Sequence, residues 1–164
     1  MPILSVINLG PEFMAEAYPL IRCLGTIGLE QWEEFGRRLT EQGGGVLAVR
    51  AEDLCIHGVA AYLPVASLKH RRALRVEAIA AFEFGHSLLV RSTLSAALDD
   101  LAREKNCDVV TVSLDAKDLF NPQSRRRRAW ESLGLKAEAV ECVRHLADPA
   151  PSRFGPGKST QDIR

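Results

Sequence analysis

The 164-residue sequence contains no apolar run approaching the ~20 residues that a membrane-spanning helix requires. Its first residues, MPILSVINLG, carry no basic stretch ahead of a hydrophobic one. A cytoplasmic protein with no membrane partner is expected. The chain has no CxxC pair. Cys23, Cys55, Cys107 and Cys142 lie far apart, each inside an apolar pattern, so neither a disulfide framework nor a zinc site is expected and the thiols should be buried. There is no net charge either: 21 basic side chains balance 21 acidic ones, which removes the global field that would draw nucleic acid or an anionic membrane. No aromatics alternate with the basic runs, as a single-stranded nucleic-acid site would need.

What is present is an ordinary globular composition, 46% hydrophobic and 26% charged, at a length that fits one domain. Ile3 to Leu9 alternates as a first strand and Gly10-Pro11 closes it. A helical stretch, EFMAEAYPLIRCLG, follows, with Pro19 expected to kink or split it. In GLEQWEEFGRRLTEQGGG, Leu29, Trp32, Phe35 and Leu39 recur at helical spacing until Gly43 to Gly45 stop the helix. Three strands come next, VLAVRA, CIHGVAAYLPV and LRVEAIAAFEF, and short connections predict antiparallel pairing. A long helix then runs to about Lys105 with Leu94, Leu98 and Leu101 inward. DVVTVSL reads as a short strand near the sheet centre, DAKDLFNPQ as a loop, SRRRRAWESLG as a short helix and LKAEAVECVRHL as a final strand. Residues 1–146 form the expected domain, and 147–164, rich in Pro, Gly and Ser, the expected flexible tail.

The stretch FEFGHSLLVRS, Phe82 to Ser92, passes directly from a strand end into the long helix. Unsatisfied amides and the helix dipole make such a start a seat for an anion, with Ser87 available as the N-cap. Gly85 permits a tight turn, and Arg91 adds a charge. On the preceding strand, Glu77 and Glu83 stand an even number of residues apart, which in a regular strand places them on one face. Either can serve as a base for an amine. His57 reads as a core histidine and His70 as part of a basic turn with Lys69, Arg71 and Arg72. Arg125 to Arg128 cover every side of one helical turn, so they cannot all face one site.

In element order, in the helix opening off the fourth strand, in AREKNCDVVTVSL and in AWESLGL, the chain resembles the GNAT acetyltransferase superfamily over about Met1 to Leu146. The resemblance implies an α/β (α+β) fold: a mixed, mostly antiparallel, twisted sheet of six or seven strands flanked by about four helices. It implies an acyl-coenzyme A cosubstrate, acetyl-CoA or another, with no metal. The cofactor would be held by Phe82, Phe84, Gly85, His86, Ser87, Leu88, Leu89, Val90, Arg91, Ser92 and Trp130. The family's Arg/Gln-x-x-Gly-x-Gly/Ala signature falls on His86 to Arg91, where Leu89 and Arg91 replace glycines and add bulk over the anion seat. Trp130 stands where the family places a tyrosine acid, and an indole N–H does not protonate a thiolate.

Two functions follow from this reading. One is an N-acyltransferase acting by direct attack of a small-molecule or protein amine, with Glu83 or Glu77 as base and Glu83 the nearer to the helix. The other is a catalytically inactive acyl-CoA-binding or protein-interaction module. Self-association as a homodimer is compatible with both.

Overall fold

The structure, a computed structural model, describes residues 2–146. The tail expected over 147–164 lies outside the described residues. Strands β1 (Leu4–Asn8), β2 (Gly45–Ala51), β3 (Ile56–Ser67), β4 (Arg71–Ala81) and β5 (Val109–Val112) form one sheet in that order. Helices are α1 (Met14–Ile21), α2 (Leu29–Glu41), α3 (Leu89–Glu104), α4 (Ala116–Leu119) and α5 (Arg125–Glu131). Pro19 sits inside α1, which is eight residues long and gives way to a 3-10 turn at Arg22–Leu24. No helix among the described residues is long and apolar enough to cross a membrane.

The first four strands pair antiparallel, as short links dictate, whereas β4 and β5 pair parallel and need the α3 crossover between them. Alternation along the strands divides the core between the two faces. Leu47 and Val49 of β2, with Ala60 and Tyr62 of β3, meet Val90, Leu94 and Leu98 of α3 and Trp130 of α5. Val46 and Ala48, with Val59 and Ala61, meet Met14, Ala17 and Ile21 of α1 and Trp32 and Leu39 of α2. Leu101, Val110 and Val112 pack against the α3-side core as the sequence pattern requires.

Four expectations are corrected. Among the described residues the sheet has five strands rather than six or seven, because 135–146 forms no strand. Its alternation is broken at Val140-Glu141-Cys142-Val143, no face of it is buried, and Leu146 is 92% exposed. β5 is therefore an edge strand, not a central one. The thiols are not buried: Cys23, Cys55 and Cys142 lie in turns or in that exposed segment, Cys107 is half-buried, and all four are free. Among the described residues the helix count rises to five because Ala116–Leu119, read as a loop, closes one helical turn.

Candidate active site

The site is prepared by an irregularity in β4. Tyr62 stands opposite Val76 and Ala61 opposite Ala78, so Glu77 is one residue too many for β3 and forms a β-bulge. On its other side β4 keeps β5 only from Ala73 to Val76, with a last bond from the Ser113 N–H to the Val76 carbonyl at 3.3 Å. From Glu77 to Ala81, β4 is flanked by β3 alone and the sheet opens. The parity expected of Glu77 and Glu83 does not apply, since Glu77 is itself the bulged residue and Glu83 lies beyond the end of β4. Glu77 is ion-paired with Arg75 and its side chain is 29% exposed, at the opening.

Glu83, beyond the end of β4, is placed very differently. Its Oε2 accepts the Val90 N–H and its Oε1 the Arg91 N–H, both at 2.9 Å, and the Arg91 guanidinium adds a third bond at 3.3 Å. The carboxylate is only 8% exposed. It thus takes up two of the four amides that every helix start leaves unsatisfied. Ser87, expected as the cap, instead donates its hydroxyl to the Phe84 carbonyl at 3.0 Å and closes the turn in which Gly85 takes φ +69°. The N-cap residue itself is Leu88, which has no side-chain acceptor. Arg91 reaches across to Trp130, its guanidinium 5.8 Å from the ring centroid, a cation–π distance. Trp130 is buried at 3% exposure, so Glu83, Arg91 and Trp130 form one closed stack at the head of α3.

Around this stack the remaining candidates separate into two groups. Phe84, Ser87, Leu88, Leu89 and Ser92 line, with Pro2, a mostly apolar cavity of about 420 Å³. Phe82 is exposed, His86 lies in the turn, and His57 lies against Phe84 with ring centroids 4.5 Å apart. His57 Nε2 is 3.1 Å from a carboxylate oxygen of Asp53, four residues earlier. The Cys55 N–H and then His57 hold the Asp53 carboxyl below its ordinary value. His70 and Lys69 both reach Glu138, away from the site.

Of the arginine run, Arg126 pairs with Asp118, Arg127 with Glu131 and the Leu119 carbonyl, and Arg128 with the Gln123 carbonyl. These three brace the segment before α5. Tyr62 is the tyrosine nearest the bulge in register. It lies against Gly45, and burial, with Glu104 at the far end of α3, pushes its hydroxyl above the ordinary range. Among the described residues no group of three or more His, Cys, Asp or Glu gathers at metal-binding distance.

The sequence reading missed the clamp by Glu83 and the Asp53–His57 buttress. A leucine at the N-cap was the available signal that α3 needed an acceptor from elsewhere, and Asp53 and His57 stand four apart across a turn. As a donor set, the Val90 and Arg91 amides and the Arg91 guanidinium suit a phosphate, and the carboxylate already there shows that an anion fits.

No protein-family model and no curated protein sequence matches the chain. Solved structures do. An aminoglycoside N-acetyltransferase in complex with CoA superposes with a TM-score of 0.72 at 13% identity, covering 90% of this chain and 97% of its own. A Trypanosoma brucei acetyltransferase gives 0.65 at 15% identity, covering 88% and 100%. A ribosomal-protein-alanine N-acetyltransferase from Brucella melitensis gives 0.66 at 15%, covering 88% and 100%. With its sheet opened at the β4 bulge and α3 starting beside that opening, this chain has the fold of the GNAT acetyltransferase superfamily.

Proposed function

We propose that the chain transfers an acyl group, acetyl in the simplest case, from an acyl-CoA to a primary amine borne by a small molecule or a protein. The observation that carries this reading is the opening of β4 from β5 beyond Val76, with the bulged Glu77 at its rim and the head of α3 next to it. Backbone groups of β4 that lack a β5 partner there suit an extended, amide-bearing ligand, and the α3 amides suit its phosphates. The acetyltransferase names of the superposing structures, one of them with CoA, support the same reading.

The thioester supplies an activated acyl carbon; the acceptor nitrogen attacks it, the thiolate leaves, and the ammonium proton must pass to a base. Glu77 fits that last role better than Glu83. Its carboxylate stands at the opening and is reachable by solvent, whereas that of Glu83 is committed to two amides and Arg91. Trp130 gives the thiolate no proton, but a thiol of pKa roughly 8.5 leaves as its anion at moderate cost.

A second reading, an acyl-CoA-binding or interaction module without turnover, draws on the closed stack of Glu83, Arg91 and Trp130. Thiol release from acetyl-CoA, followed against a panel of primary amines with product masses, separates the two. Acceptor-dependent thiol release is expected. CoA binding without thiol release for any acceptor would favour the CoA-binding module, and no CoA binding at all would leave only the interaction module.

A further inference from the structure

We propose that Glu83 is a built-in occupant of the anion seat at the head of α3 and sets how tightly this chain takes a diphosphate-bearing ligand. The proposal rests on the acyl-CoA reading only in naming that ligand. Its physical content is competition for donors. An amide N–H makes one strong hydrogen bond, and those of Val90 and Arg91 are both spent on the Glu83 carboxylate at 2.9 Å. A diphosphate entering the same seat would meet a buried negative charge as well as occupied donors, so the two anions exclude each other. Glu83 has to leave first.

The surroundings suit such an exchange. Glu83 lies two residues past the end of β4, so its departure breaks no strand pairing. It lies seven and eight residues before the amides it binds, across the turn at Gly85, unlike an ordinary cap, which is short and local. Arg91 Nε is buried with no partner, and its NH1 holds Glu83 at 3.3 Å. Once Glu83 is out, the guanidinium is left with unmet donors beside two freed amides, which is a phosphate's preferred company. The cavity lined by Ser87, Leu88, Leu89 and Ser92 adjoins this helix start.

The test uses the full chain, as wild type, Glu83→Gln and Glu83→Ala, titrated separately with inorganic pyrophosphate and with CoA. The Val90 and Arg91 amide resonances and thermal melts are followed, and far-UV dichroism verifies folding. Glutamine keeps one acceptor for the helix but no charge, so a folded variant is secured. The expected result is that both variants bind each ligand about tenfold or more tightly than wild type, with Val90 and Arg91 shifting, since apparent affinity scales with the fraction of molecules whose seat is open. Equal affinity in wild type and variants would overturn the proposal while leaving the acyl-CoA reading intact. So would CoA binding that leaves both amides unmoved. Tighter pyrophosphate with no CoA binding to any form would uphold the internal anion and sink the acyl-CoA reading. If neither probe moves the two amides in folded Glu83→Gln and Glu83→Ala, the seat takes no anion and the proposal falls.

Discussion

Two glutamates six residues apart mark two regions built on opposite plans. At Glu77 the chain spends a residue to disturb β4, and the carboxylate is left beside an opening with only Arg75 for company. At Glu83 the chain has left the sheet, and the carboxylate is folded into a closed stack, held by two amides and by the Arg91 guanidinium that rests over the Trp130 indole. The contrast shows that residue type does not decide a glutamate's role. One is available because its neighbours are strand backbone facing an empty edge; the other is consumed because a helix start with no cap of its own lies within reach.

The heaviest blow to this contrast falls on the closed side. Trp130→Ala removes the largest side chain of the stack and should cost about 3–5 kcal/mol, measured by denaturant unfolding. A loss under about 1 kcal/mol would show that the stack is not a structural unit. On the open side, Glu77→Gln should lower kcat by about a hundredfold or more while leaving the melting temperature within a few degrees. A Glu77→Gln enzyme of normal kcat, or one matched by Glu83→Gln in its loss, would erase the distinction between the two carboxylates.

Gly85→Ala probes the turn that delivers Glu83 to α3. No atom lies within 4 Å of an added Cβ, so the penalty comes only from holding alanine at φ +69°. That strain amounts to about 1–2 kcal/mol, and a variant as stable as wild type would mean that the turn relaxes freely. The smallest effect concerns Asp53, which steadies His57 and through it Phe84 at the start of that turn. Its folded carboxyl is held below the ordinary value, so its contribution is present above about pH 4, near the unfolded value, and is lost as pH falls through the lower folded value. Asp53→Asn should therefore flatten the acid limb of stability below about pH 4 and change little near neutrality. An unchanged acid limb would separate this buttress from the closed region.

Much of the frame was readable in advance. Leu94, Leu98 and Leu101 announced α3, and Trp32 and Leu39 announced α2, because helical periodicity depends only on which face must leave water. The hairpin of β3 and β4 followed from two long apolar stretches and a short polar link. The edge position of β5 was not readable. Whether a short apolar strand is central depends on what lies beyond it, and the alternation from Leu135 to Leu146 was a pattern without a partner.

The site divides along the same line. The sequence by itself determined that a strand would lead toward a helix start, though β4 stops at Ala81 and not at Phe84, that Leu89 and Arg91 bring bulk to that start, and that the Trp130 indole is no proton donor. These follow from backbone propensity and side-chain chemistry, which are local properties. Only the tertiary structure decided that Ser87 would turn back to Phe84 while Glu83 capped α3, that a bulge would fall at Glu77, and that Arg91 would rest between Glu83 and Trp130. Those outcomes are settled by competition among several acceptors for the same few donors. A linear sequence names the competitors, but their distances, which decide which of them wins, exist only once the sheet, α3 and α5 have packed together.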